Sequence, residues 1–125
     1  MIVDTDILIW AQRGNIKAIK LIENTSILEI SVLTYMELLQ NANKKLQHQI
    51  IKNFISDFNI ILLPLTENIG HRAIIYTEQY SLSHGIRAGD AIIAATAVER
   101  NAEFVTSNVK HYKVIQDLNL KAFKP

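Results

Sequence analysis

Met1-Ile2-Val3-Asp4-Thr5-Asp6-Ile7-Leu8-Ile9-Trp10 opens the chain with an apolar, partly β-branched stretch that runs straight into two carboxylates. The stretch suits a short buried strand. Thr5 or Asp6 then suits the cap of a helix carrying Ile7, Leu8 and Trp10. A strand that turns directly into a helix is the pattern the rest of the chain repeats.

Gly14-Asn15 breaks the first helix, and Ile16, Ile19 and Ile22 restart helical spacing up to Glu23. Ile27 to Ile30 alternates as a strand, followed by helices over Ser31 to Leu39 and Lys44 to Phe58. Ile60-Ile61-Leu62-Leu63, stopped by Pro64, reads as a central parallel strand covered on both faces. Thr66 starts a long helix to about Leu82, and Gly85 marks its end. Ala88-Gly89-Asp90 leads into a small-residue helix, Ala91 to Val98, whose alanines let a neighbour approach closely. Glu103-Phe104-Val105-Thr106 is the next strand, and the residues near Lys121-Ala122-Phe123 form a weak last one. This alternation predicts an α/β fold, a three-layer α/β/α sandwich around a mainly parallel sheet. Ligands of such sheets collect at the carboxyl ends of the strands, where Asp4 and Thr106 to Asn108 stand.

With 125 residues, 49% hydrophobic and 20% charged, and no repeat or linker, the chain is expected to form one domain over 1–125. The absence of Cys excludes disulfides, thiolate-bound zinc and a thiol nucleophile. No apolar run is long enough to span a bilayer, so no membrane role and a cytoplasmic address are expected. The formal net charge of +1 means that any nucleic-acid contact comes from a local basic patch. GxxxxGK[ST], GxGxxG and GxSxG are absent, and His48, His71, His84 and His111 show no zincin spacing.

The acids admit structural and chemical readings side by side. Asp6 reads as a helix cap, and Asp4 reads equally as a dipole partner or as a site residue at the mouth of a buried strand. Glu37 completes a capping box with Thr34, unless the helix starts at Ser31 and leaves Glu37 free on its side. Asp90 reads as a functional group, because the helix after it is almost wholly apolar and a buried carboxylate needs a partner. Arg87 reads as a phosphate contact or a carboxylate partner. Lys110, His111 and Tyr112 read as a phosphate-binding and base-stacking cluster or as a solvated loop.

Taken together, four stretches resemble the PIN-domain family, particularly the VapC-like toxins of toxin–antitoxin pairs. They are Ile2 to Ile9, Ser31 to Leu38, Ala88 to Ala97, and Phe104 to Tyr112. The resemblance implies a metal-dependent endoribonuclease with Asp4, Glu37 and Asp90 as catalytic acids and ligands of Mg²⁺, or of Mn²⁺ as a substitute. It also implies an RNA substrate, a small cognate antitoxin and a homodimer, with apolar stripes between Ser31 and Phe58 open to either protein contact. Many relatives carry a fourth acid where this chain has Asn108, which makes Asn108 a supporting residue. Asp6, Thr106 and Ser107 are further supporting positions, and Arg87, Lys110 and His111 are the expected RNA contacts.

Two alternatives frame the test. One is a catalytically impaired RNA-binding or scaffold domain, motivated by Asn108. The other is a receiver-like phosphorylation switch, disfavoured because the apolar run Ile60 to Leu63, taken as central, ends without an acid.

Overall fold

The computed structural model describes residues 1–125. Its first half runs β1 (Ile2–Val3), α1 (Thr5–Gln12), α2 (Ile16–Asn24), β2 (Glu29–Ser31), α3 (Val32–Asn41) and α4 (Lys45–Asp57). The second half runs β3 (Ile61–Leu63), α5 (Glu67–His84), α6 (Ala88–Glu99), β4 (Glu103–Thr106), α7 (Val109–Tyr112) and β5 (Asn119–Ala122). All strand pairings are parallel, in the order β3-β2-β1-β4-β5. β1 is the middle strand, with Ile2 in register with both Glu29 and Phe104.

Successive strand residues point to opposite faces, and that alternation builds two cores. Ile2 and Phe104 join Ile69, Ala73, Ile93 and Tyr112 on the face covered by α5, α6 and α7. Val3, Ile30 and Val105 join Ile7, Leu8, Ile22, Leu38 and Ile51 on the other face. The expected α/β/α sandwich is therefore the observed fold, with a sheet that is wholly parallel.

Local chemistry fixes the helix starts. The Ser31 hydroxyl accepts from the Leu33 N–H, so α3 begins directly after β2 and Thr34 is buried within its first turn. The capping-box placement of Glu37 on Thr34 is thereby excluded, and Glu37 lies well inside the helix, where its side chain is free to reach sideways. Asn15 caps α2 through Ala18 N–H after Gly14 turns the chain at φ +86°. Thr66 caps α5 through Ile69 N–H, and Gly85 closes it at φ +69°, a conformation glycine adopts without a Cβ penalty.

Two expectations are corrected. β3 is an edge strand, with Ile61 45% and Leu62 36% exposed, so the apolar run is not a central strand covered on both faces. An apolar run reports β-propensity and partial cover, while its rank in the sheet is set by strand order, which no local pattern encodes. The middle strand is β1, and it does end in an acid, Asp4, so the acid-free end of Ile60 to Leu63 does not speak against a receiver-like switch. The second correction concerns the first turn of α1. Asp4, rather than Thr5 or Asp6, is the N-cap, its Oδ1 accepting from Thr5 N–H at 2.8 Å, and Thr5 is the first helical residue. Asp6 turns instead toward the end of β4.

Candidate active site

The carboxyl ends of β1, β2 and β4 form one rim of the molecule, and the N-terminus of α6 comes up to the same rim. Arg100, the C-cap of α6, meets Glu29 at the start of β2, so α6 runs back along the sheet and delivers Asp90 to the strand ends. Each acid of interest arrives on a different element. Asp4 ends β1, Glu37 projects from α3, and Asp90 occupies the first turn of α6.

Asp4 is held at both oxygens. Its Oδ1 accepts from Thr5 N–H and its Oδ2 from the Thr106 hydroxyl at 2.8 Å. The residue is only 7% exposed, and burial pushes its carboxyl up to about 7, helped by the neighbouring Asp6 carboxylate and, more weakly, by Asp90. The hydrogen bonds from Thr106 and Thr5 oppose that rise without cancelling it.

Glu37 is tied to Thr5, whose hydroxyl donates to Oε1 at 2.7 Å. Its other oxygen, Oε2, faces Gly89, where an added Cβ would lie 3.7 Å away. Asp90 accepts at Oδ1 from the Tyr112 hydroxyl at 3.2 Å, and at Oδ2 from Arg87 N–H at 3.4 Å. Asp90 therefore caps α6 with one oxygen and meets Tyr112 with the other; it is partly exposed rather than buried and already has protein donors, unlike the unpartnered buried carboxylate expected from the apolar helix. The Tyr112 hydroxyl is held protonated, its pKa raised far above the usual phenol range, first by burial and then by the Asp4 and Asp90 carboxylates. Asp4 and Asp90 thus act on one hydroxyl, while Asp4 and Glu37 share Thr5 as a donor.

The supporting positions divide sharply. Thr106 is fully buried and serves Asp4, and it also accepts from Asn108 N–H at 3.0 Å. Ser107 binds Asp6 Oδ2 through both its N–H and its hydroxyl, which leaves Asp6 Oδ1 buried without a partner. Asn108 stands at the N-cap position of the short α7 without a side-chain capping bond, because its amide is engaged with His111 Nδ1 at 2.9 Å. His111 Nδ1 also lies 3.5 Å from Asp90 Oδ2 and is an ion pair when protonated. Arg87 and Lys110 are exposed beside the site.

Tyr112 does not belong to a base-stacking surface. Its ring is fully buried, edge-on to Phe104 with centroids 4.9 Å apart, so only its hydroxyl reaches the acids. Thr5 and Thr34 also stand beside Glu37, although neither is singled out by the sequence pattern. Their signal was faint but present, since α1 begins on a hydroxyl residue set between two acids, and α3 carries a second hydroxyl one turn before Glu37.

The donor set consists of hard oxygens with a surplus of negative charge. A buried carboxyl at about 7 and an unpartnered Asp6 Oδ1 are both relieved by a hard divalent cation, so the chemistry of the site fits Mg²⁺ or Mn²⁺. The acids are gathered but not closed, because no three His, Asp or Glu side chains stand as a ready-made metal cluster. A cation that keeps several waters needs only one or two carboxylates and suits such an open arrangement.

Comparison with known proteins agrees with this architecture. The sequence matches the PIN domain over residues 1–116. It is 30% identical over 122 residues to ribonuclease VapC10 of Mycobacterium tuberculosis, covering 94% of this chain and 90% of that protein. The fold superposes on a toxin–antitoxin complex from Klebsiella pneumoniae with TM-score 0.78 and 27% identity, covering 94% of this chain and 93% of that one. It superposes on VapBC2 from Rickettsia felis, solved with a promoter DNA fragment, with TM-score 0.80 and 23% identity over 98% of each chain.

Proposed function

The chain belongs to the PIN domain family, and from that premise we propose that it is a metal-dependent endoribonuclease acting as the toxin of a toxin–antitoxin pair. The observation that supports this reading is the linkage of Asp4, Glu37 and Asp90, carried by three separate elements: Thr5 donates to both Asp4 and Glu37, and the Tyr112 hydroxyl bonds Asp90 while feeling the Asp4 carboxylate. The ribonuclease and toxin–antitoxin names of the similar proteins support it.

Asp4, Glu37 and Asp90 are assigned as the ligands of Mg²⁺ or Mn²⁺, with Asp6 Oδ1 close enough in charge to Asp4 to assist. Held there by Asp4, Glu37 and Asp90, such an ion would offset their negative charge and would supply Lewis acidity toward a phosphoryl oxygen and water. The chain's own part is orientation. Thr106 and Thr5 fix the plane of the Asp4 carboxylate, and Tyr112 fixes that of Asp90. Arg87 and Lys110 supply positive charge for the flanking phosphates of the RNA, with the His111 ring beside them as a further contact. Asn108 holds His111 through its amide, and it is a weaker candidate for the ion than Asp6.

An antitoxin partner fits the mixed cleft between α1, α3 and α4, where Ile9, Leu38, Ala42, Ile50 and Ile51 alternate with Gln12, Arg13, Asn41 and Gln47. A homodimer is the second proposed contact. No helix is long and apolar enough to cross a membrane.

The test is Mg²⁺- or Mn²⁺-dependent cleavage of structured RNA by purified protein beside Asp4→Asn and Asp90→Asn. Cleavage by wild type, lost in both variants and with chelator, is the expected outcome. Equal cleavage by all three proteins identifies a contaminant and ends the nuclease reading. The engagement of Asn108 by His111 favours a second reading, an RNA-binding PIN domain without catalysis, which predicts RNA retention but no cleavage by any form.

A further inference from the structure

We infer that Thr5 is a positioning residue that assigns the two oxygens of Glu37 different tasks, through a directed chain of hydroxyls. The inference rests on the metal-dependent nuclease reading above.

Thr5 Oγ1 lies 2.7 Å from Glu37 Oε1 and 3.2 Å from Thr34 Oγ1. A threonine hydroxyl carries one proton. An ionised carboxylate can only accept, and it forms the shorter and stronger contact, so the Thr5 proton goes to Glu37. The Thr34 hydroxyl then donates to the lone pair left on Thr5. The direction is Thr34 to Thr5 to Glu37, and donation into Thr5 strengthens its own donation outward.

Thr34 is fully buried in the first turn of α3, and Glu37 follows it by one turn of the same helix. Thr5 stands across the gap at the first position of α1, and its N–H is already committed to Asp4 Oδ1. One residue therefore grips two acids, Asp4 through the backbone and Glu37 through the side chain. Because Oε1 is consumed by Thr5, Oε2 is the oxygen left facing Gly89 and the start of α6. Glu37 has three side-chain torsions, and without this anchor the half-exposed carboxylate would sample several rotamers.

The experiment compares wild type, Thr5→Val, Thr5→Ser, Glu37→Ala and the Thr5→Val/Glu37→Ala double variant. Mn²⁺ affinity is read by electron paramagnetic resonance, RNA cleavage by kcat and KM, and folding by thermal melting. Thr5→Val keeps the β-branched shape and the N–H to Asp4 but removes the hydroxyl. It is expected to weaken Mn²⁺ binding about 10-fold, the scale of lost outer hydrogen bonds to metal ligands. The loss in cleavage should fall on kcat rather than KM, and Thr5→Ser should recover most of both effects. In the Glu37→Ala background Thr5→Val should change nothing further. Wild-type Mn²⁺ affinity in Thr5→Val, or equal losses in both backgrounds, overturns the inference. Mn²⁺ binding that depends on Thr5 in a protein that cleaves no RNA sustains the inference and overturns the nuclease reading. Failure of wild type to bind Mn²⁺ overturns both.

Discussion

Thr106 donates its hydroxyl proton to Asp4 Oδ2 at 2.8 Å, joining the ends of two neighbouring strands across 102 residues of sequence. The same oxygen of Thr106 accepts from Asn108 N–H, so one hydroxyl orients an acid and shapes the loop that follows β4. Thr106→Val removes both roles in a fully buried position. Unfolding in urea should show a loss of about 1–3 kcal/mol, the cost of leaving a buried polar group unpaired. Thr106→Ser should lose clearly less.

Metal-free protein should lose stability as the pH rises. The Asp4 carboxyl titrates near 7 when folded and near 3.8 as an ordinary Asp, so between those values the folded state keeps a proton that the unfolded state has released. Unfolding then releases a proton, and raising the pH favours it. The contribution is fully present below about 3.8 and is lost by the time the pH passes about 7. The full swing is on the order of 4 kcal/mol. Melting in chelator from pH 5 to pH 8 should capture roughly 3 kcal/mol of it, the part between pH 5 and about 7, and Asp4→Asn should flatten the curve. Added Mg²⁺ at pH 8 should raise the melting temperature of wild type more than that of Asp4→Asn.

Tyr112→Phe separates a ring from its hydroxyl. The edge contact with Phe104 survives, so stability should change by only about 1 kcal/mol, the worth of one hydrogen bond. Asp90 loses its Oδ1 donor, and RNA cleavage should fall severalfold at unchanged circular dichroism. Full activity in Tyr112→Phe would show that Arg87 N–H and the helix end orient Asp90 unaided.

Glu29 provides a control far from the strand ends. Its buried carboxylate accepts from Arg100 Nε at 3.0 Å and from Nη2 at 2.7 Å. Arg100→Ala strands that charge, and unfolding should show a loss of about 1.5–3 kcal/mol. Cleavage per folded molecule should be unaltered, because Glu29 begins β2 and the acids lie beyond its far end.

The sequence carried the architecture well where periodicity and caps agreed. Ile2 and Val3 split between two cores, and Thr66 and Gly85 bounded α5 as their chemistry predicts. The grouping of Asp4, Glu37 and Asp90 was legible only through resemblance, since nothing in local spacing brings them together. The partners of the acids were mostly illegible for the same reason. Asp6 looked like a cap because Asp near a helix start usually is one, yet its bonds run to Ser107, 101 residues away. Tyr112 looked like a surface aromatic beside Lys110 and His111, and only the packing of α7 against β4 reveals its ring as core. Asn108 was weighed by charge alone, while its partner is His111, one turn ahead.

Ala91, Ala94, Ala95 and Ala97 of α6 have no exposed surface at all. Methyl-sized side chains let neighbouring elements come close, and at Ala94 no spare volume is left. A larger side chain there should push α6 outward and carry with it Asp90, which stands in its first turn. The placement of that acid thus depends on some of the smallest side chains in the protein.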